Sequence, residues 1–496
     1  MVWIFLLLVL LLVILAILFV FSVSASHDTF QKMNIDSPPA SRLLGHFGAA
    51  LKKGIFTTQL EIYNLYKDKK VYGTYDGCHP VLNIKDPDMI KEIMVKSFNS
   101  FVNRRSFFDL DPPFKEMLVS LKDDQWKHVR KIMSRTFTSG QIKRMSKHME
   151  RKSQQLVDLL HRKQESNDDD DIELKNIISC FTLDVIASVG FGVEISSMEN
   201  PDNPFAVHAK QSINLSPLLL SLAFFAPWSL TLLQKAGVST IPKATREYFT
   251  KIIDAAIENR KEEGQAGKVN DFLDLLINSE EESGQTEKYY LTRSEIHGQA
   301  LVFILAGYDT ISTVLSFTLF LLTVHPEYCQ IVQKEMDEKI GNESPNYDNI
   351  QGLTYMDMCL NETMRLYPPA FFIDRVCAED TTVHGIQIPK NMVVAFPVYA
   401  LHRDPEFWTE PDKFQPERFS AENKDSHHPY AYLPFGNGPR NCVGMRLALM
   451  ELKIALSYIL KDFTPVTCEK TVYPIKLKKL QLIAEDGLWV KLSARK

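Results

Sequence analysis

Hydrophobic and polar positions are distributed unevenly along this chain. From Met1 to Val23 there is no charged residue, and nearly every side chain is Leu, Val, Ile, Phe or Ala. About 20 apolar helical residues cross a bilayer core, so this run is long enough to span one. Around Val71–Ile84 the runs are short and β-rich: Tyr72-Gly-Thr-Tyr75 and Val81-Leu-Asn-Ile84 flank a Gly77/Pro80 turn, which predicts two short strands. Helical periodicity dominates afterwards. Its longest segment runs from about Thr292 to His325, opened by a Thr292/Glu295 capping-box pattern and stopped by Pro326. At ~1.5 Å per residue such a helix crosses a protein over on the order of 50 Å. From about Ile386 the pattern shifts to short strands, turns and Pro-rich irregular chain, followed by one helix after Cys442. No internal repeat is present.

The rival reading of the first segment is a cleaved signal peptide, with small residues at Val23-Ser24-Ala25. No positive n-region precedes the run, and it exceeds the roughly 7–15 residues of a signal h-region. The expectation is a single transmembrane signal anchor over 1–23. Lys32, Arg42, Lys52 and Lys53 come only afterwards, which by the positive-inside tendency puts the body on the cytoplasmic face. Residues 24–50 form a proline-containing linker, stiffened by Ser37-Pro38-Pro39. The Thr292–His325 segment is apolar at its flanks, but Asp309 at mid-bilayer would cost roughly 2.5–3.5 kcal/mol. A central helix buried in protein, and opened mid-way for chemistry, accounts better for Gly307, Asp309, Thr310, Ser312 and Thr313. The apolar stretch Pro217–Leu233, with Phe224, Phe225 and Trp228, reads as a core helix pair or as a surface dipping into the membrane. The acidic run Asp168–Asp171 reads as a solvated loop.

Composition changes this picture little. The 496 residues are 45% hydrophobic and 24% charged, ordinary for a globular protein with a large core. A formal charge of −5 and a pI near 6.3 give no electrostatic case for nucleic acid. The cysteines, Cys78, Cys180, Cys329, Cys359, Cys377, Cys442 and Cys468, are odd in number and contain no CxxC. They form neither a disulfide framework nor a zinc pattern, which suits a reducing compartment. The Asn361-Glu362-Thr363 sequon falls inside a predicted helix, consistent with cytoplasmic placement.

The chemistry concentrates in Phe435-Gly-Asn-Gly-Pro-Arg-Asn-Cys-Val-Gly444. Two glycines and a proline constrain this stretch to a loop. A helical pattern through Met445, Leu449, Leu452 and Leu456 starts directly after it. Cys442 therefore sits at or just before a helix N-terminus, where free backbone N–H groups are expected to lower a thiol pKa. A buried inert cysteine is the bland alternative. The segment resembles the haem-binding loop of the cytochrome P450 family, Phe-x-x-Gly-x-Arg-x-Cys-x-Gly, at Phe435, Gly438, Arg440, Cys442 and Gly444. The resemblance implies a mainly α fold with small β-sheets and a haem-thiolate catalytic domain over 51–496. It also implies haem b as cofactor with Cys442 as its axial metal ligand, and O2 as co-substrate.

Further family motifs follow in order. Glu362-Thr-Met-Arg365 and Pro416-Glu-Arg418-Phe419 imply a buried structural charge triad of Glu362, Arg365 and Arg418. Trp126-Lys-His-Val-Arg130 places Trp126 and Arg130 four apart on one helix face, both directed at a haem propionate. The similarity adds Arg105, Arg375 and Arg440 for propionate pairing, although Arg104 is adjacent and spacing does not choose between it and Arg105. Ala306-Gly307-Tyr308-Asp309-Thr310 fits Ala/Gly-Gly-x-Asp/Glu-Thr. In that pattern Gly307 leaves room for O2, and Thr310 with Asp309 delivers protons as an alcohol and acid pair. Phe303, Ala306, Ala370 and Phe372 are candidate pocket residues. The chain is most similar to the microsomal group containing the vertebrate family-3 steroid and drug oxidising enzymes, on Tyr399-Ala-Leu-His-Arg-Asp-Pro405 and Phe137-Thr-Ser-Gly140. It departs from that group in the bulkier Pro368-Pro-Ala-Phe-Phe372, so substrates do not transfer from relatives.

The implied function is a monooxygenase of the endoplasmic reticulum membrane, inserting one oxygen atom into an apolar small molecule (steroid, lipid or xenobiotic). With no Gly-x-Gly-x-x-Gly in strand–helix context, electrons must come from a partner. The implied partner is an NADPH-cytochrome reductase carrying flavins, with a cytochrome b5-like protein as auxiliary donor. Lys127, Lys131, Arg135 and Lys143 form either a docking stretch for that donor or a solvated helix face. The alternatives are a haem-thiolate isomerase or dehydratase working without O2 or reductase, a non-catalytic haem carrier or gas sensor, and a secreted binding protein cleaved after Ala25.

Overall fold

The computed structural model describes residues 25–42, 44–105, 113–165, 171–213, 241–263, 271–278 and 291–495. The anchor expected over 1–23, Asp168–Asp170 of the acidic run and the apolar stretch Pro217–Leu233 lie outside these residues. The body is mainly helical, with three small sheets among the described residues. One has the order β1-β2-β7-β4 (Val71–Asp76, His79–Ile84, Val393–Phe396, Ile373–Val376). The second joins β3, β9 and β8 (Asp171–Glu173, Trp489–Ala494, Phe463–Val466), and the third pairs β5 with β6 (Thr381–Val383, Ile386–Ile388).

The first hairpin differs in one detail from its sequence reading. Asp76 pairs with His79, so the turn is Gly77-Cys78, and Pro80 lies within β2 opposite Tyr75. Proline is tolerated there because β2 meets β7 only from Val81 onward, so its missing N–H breaks no bond to β7. The linker docks on this sheet. Phe30 is fully buried, and a Cβ placed on Gly73 would lie 2.3 Å from its ring, so the glycine is the socket for the phenylalanine.

The long helix runs Arg293–Val324 with the Thr292/Glu295 capping box formed on both sides. It packs most extensively on the helix Leu174–Phe191. Both are apolar and long enough to cross a membrane by composition, yet they lie against each other in the core. An apolar helix without a polar face is stable only when surrounded. Close approach is enabled by small residues. A Cβ on Gly190 would meet Phe303 at 2.8 Å, one on Gly307 would meet Ile186 at 2.9 Å, and one on Gly298 would meet the Glu116 backbone at 2.7 Å. The helix Met445–Asp462 completes this core against Ser139–Glu165 and the central helix.

Candidate active site

The cysteine loop is held by its own backbone. The Cys442 N–H donates to Phe435 O at 2.9 Å, closing the loop across Gly436 and Gly438, both left-handed (φ 67° and 73°). At Gly438 a Cβ would fall 2.0 Å from Met94 O, so no other residue fits. Gly444 is the N-cap of Met445–Asp462, which puts Cys442 two residues before the cap. The thiol pKa is nevertheless raised, contrary to the sequence expectation. Burial is the larger influence, and the Gly444 N–H, Arg130, Arg104 and the Met445 N–H only oppose it in part. The residue is exposed although the surrounding protein desolvates its thiol, as for a thiol set in a recess.

The central helix also has an open stretch. Ala306 and Thr310, one turn apart, are open, whereas every residue from Ile311 to Thr323 is buried. Thr310 Oγ1 donates to Ala306 O at 2.5 Å. Asp309 does not bond to Thr310. Its Oδ1 accepts from Lys175 Nζ at 2.9 Å, and the same ammonium reaches Ser312 Oγ and Thr313 Oγ1 at 2.7 Å each and Asp309 O at 3.2 Å. Burial pulls the Lys175 pKa down while Asp309 holds it up. Lys175 comes from another helix and was not singled out in the sequence.

A cluster of arginines surrounds the loop. Arg440 donates to Val102 O at 2.8 Å and Leu121 O at 2.6 Å and lies 4.7 Å over the Trp126 ring, so the buried Trp126 acts through Arg440. Arg130 clamps Asn441, with Nη1 on the carbonyl at 2.9 Å and Nη2 on Oδ1 at 2.7 Å. Arg375 is fully buried and donates from Nη1 to Asp374 O at 2.7 Å, while its Nε and Nη2 have no partner. Burial and the neighbouring guanidinium groups push Arg375 and Arg440 down to about 9. Arg105 is committed elsewhere, to Asp374 at 2.8 Å and Asp76 at 2.5 Å. Arg104 instead donates to Arg440 O at 3.1 Å, leaves Nε unpartnered and acts electrostatically on Cys442. The pair therefore divides its work, with Arg104 facing the cysteine and Arg105 tied to the two carboxylates.

Unpartnered buried guanidinium nitrogens cost free energy unless an anion meets them. Arg104 and Arg375 thus fit the carboxylates of an acidic cofactor held near Cys442. The Phe303 ring stacks on Phe272 at 4.3 Å and presses Gly190. Phe372 is half-buried and Ala370 open, while Phe371 joins Phe56 at 5.1 Å and Phe372 at 5.0 Å in an aromatic cluster. Glu362 and Arg365 are completely buried and joined through two bonds of 2.7 and 2.8 Å, with Arg418 at 3.2 Å.

Residues 38–488 match the family described as Cytochrome P450. Cytochrome P450 3A11 of Mus musculus is 40% identical over 468 residues, covering 93% of this chain and 91% of its own length. Cytochrome P450 3A7 of Homo sapiens is 40% identical over 459 residues, 91% of this chain and 90% of its own. Cytochrome P450 3A31 of Mesocricetus auratus is 40% identical over 474 residues, 95% and 93%. Because the likeness extends over nearly the whole body and is not confined to the cysteine loop, the chain belongs to the cytochrome P450 family of haem-thiolate monooxygenases.

Proposed function

We propose that this protein hydroxylates, or otherwise inserts one oxygen atom into, an apolar steroid, lipid or xenobiotic at the endoplasmic reticulum membrane. The observation that carries the reading is that Cys442 lies within electrostatic reach of Arg104, whose Nε, like Nε and Nη2 of Arg375, is buried without a partner. Haem b, when bound, supplies the iron that binds and activates O2, with Cys442 as ligand. Arg104 and Arg375, with Arg130, Arg440 and Trp126 behind them, would hold and orient the haem carboxylates. Arg105 would support them through Asp374. Phe435 shapes the cysteine loop through its carbonyl.

Thr310 lies on the open face of the central helix with its hydroxyl proton held by Ala306 O, so proton delivery by Thr310 requires that bond to be released. Asp309 Oδ1, fed by the Lys175 ammonium, is the acid group beside it. Relay from Asp309 requires its Lys175 bond to loosen, because the carboxylate now points to Lys175 and not to Thr310. Ala306, Ala370 and Phe372 border the substrate. Electrons would come from an NADPH reductase, with a cytochrome b5-like donor as auxiliary. Lys131 and Arg135 are exposed on the helix Asp123–Thr136; Lys127 on the same helix pairs with Asp124, and Lys143 on the next helix pairs with Asp348.

The test is reconstitution of the full chain with an NADPH reductase and a panel of apolar steroids and drug-like compounds under labelled O2. The reading predicts NADPH-dependent products carrying one labelled oxygen atom. Conversion of an oxygenated lipid without NADPH would replace it with the isomerase or dehydratase reading.

A further inference from the structure

We propose that Lys52, Lys476, Lys478 and Lys479, grouped around Leu51, form a contact surface for the headgroups of anionic lipids. The inference deepens the proposed membrane reading by naming the lipid chemistry, and it rests on that reading. Two segments far apart in sequence are joined here by backbone. The Ile55 N–H donates to Lys479 O at 2.7 Å, and a Cβ on Gly54 would stand 3.5 Å from Lys479 Cα. That places the tip of the 476–485 hairpin beside the end of the helix Phe47–Lys53.

Within the hairpin, Lys478 N donates to Ile483 O and Glu485 N to Lys476 O, while Leu477 bridges to the buried Ala484. Side chains alternate along a strand. Leu477 packs toward the core, and Lys476 and Lys478 on either side are exposed, as are Lys479, Lys52 and Lys53.

Lys53 is paired with Glu61 at 2.8 Å. Among the described residues no carboxylate pairs with Lys52, Lys476, Lys478 or Lys479, although acids outnumber bases in the whole chain, 61 to 56. Leu51, in the same helix, leaves 40% of its surface exposed. Ammonium groups on flexible stems around an exposed apolar side chain suit the bilayer interface, where the stems lie along acyl carbon and the charges meet phosphate and carboxylate.

On the proposed membrane reading, the chain that follows residues 1–23 leads to the patch. Chain leaving the 1–23 segment reaches Tyr75 through His27, whose ring sits 4.6 Å from the tyrosine ring. The same Tyr75 O accepts from His46 N at 2.8 Å, and the lysine-bearing helix starts one residue later. Seven helical residues extend ~10 Å. The far end of that helix therefore lies about one Debye length along its axis from the residue that bonds Tyr75.

The test uses the full chain in phosphatidylcholine nanodiscs, with and without phosphatidylserine, treated with a water-soluble amine-acetylating reagent and mapped by mass spectrometry. Phosphatidylserine is expected to protect Lys52, Lys476, Lys478 and Lys479 several-fold, with protection lost at high salt and Lys334 unaffected. A triple variant, Lys476→Glu, Lys478→Glu and Lys479→Glu, keeps its haem spectrum and its association with neutral discs but loses the protection of Lys52. Equal labelling in both lipids overturns the proposal while leaving the anchor standing. Failure to associate with neutral discs removes the anchor, and protection by phosphatidylserine then still decides the patch.

Discussion

His402 is fully buried, its Nε2 accepting from the Leu433 N–H at 2.8 Å and its Nδ1 meeting Arg365 O at 3.2 Å. Burial and the nearby Arg365 lower its pKa to about 3. Glu451, also buried, has an unpartnered Oε1, and burial raises its pKa to about 8. The two act with opposite sign. The imidazole binds a proton only on unfolding, so its contribution is complete above the ordinary histidine pKa and is lost as pH falls toward 3, by about 1.4 kcal/mol per unit. The carboxyl holds its proton only when folded, so its contribution is complete below the ordinary glutamate pKa and declines as pH rises toward 8. Thermal midpoints recorded against pH at one scan rate should fall on both sides of the optimum. Glu451→Gln should flatten the alkaline limb alone; an unchanged limb would mean that Glu451 is ionised in the folded state. At the site, Lys175→Met should reduce product formed per NADPH by roughly 100-fold, the lower end of what a positioned proton donor contributes, with Lys175→Arg restoring part of it. Full coupling in the methionine variant would remove Lys175 from the relay. Cys442, Arg375 and Arg440 were legible because one sequence motif or family position names each of them. Lys175 was not, because a residue on another helix makes its contacts. The roles of Arg104 and Arg105 were equally hidden, since Asp76 and Asp374 decide which of the two turns inward.

The central helix shows why some elements are readable in sequence and others are not. Its start, its stop and its open middle follow from Thr292, Glu295, Pro326 and the Ala306–Thr310 segment, all local signals. Its neighbours do not. Gly298 exists to admit the Glu116 backbone, with the adjacent Gln299 bonding Leu118 N at 3.0 Å and Glu116 O at 2.6 Å. Phe303 turns to Phe272 because Gly190 leaves space for it. The parallel pairing of β2 with β7 is likewise long-range, joining Val81–Asn83 to Val393–Ala395. A Gly298→Ala substitution pushes on rigid backbone and should cost about 1–3 kcal/mol, read as a lower thermal midpoint with the reduced spectrum intact. No shift would show that the segment at Glu116 yields freely.

At the scale of the whole molecule, the haem-side core rests on charge buried in pairs and the cysteine crevice on charge awaiting a partner. Glu362 satisfies Arg365 and Arg418 together, and Arg365 also bonds the carbonyls of His402 and Pro411. Removing the carboxylate with Glu362→Ala strands a buried guanidinium and should cost about 3–5 kcal/mol. The variant is expected to accumulate poorly and without bound haem, and normal haem content would contradict a structural role. Around Cys442 the balance is reversed: unpartnered nitrogens of Arg104 and Arg375 and a thiol whose pKa burial raises are each unfavourable until an anionic cofactor and a metal arrive. The most direct measurement of that claim is the absorbance of the dithionite-reduced protein with and without carbon monoxide, for the wild type and Cys442→His. The account predicts a strongly red-shifted Soret band in the wild type that is absent from the variant. Haem bound in both proteins with the same unshifted band would show that Cys442 does not hold the iron.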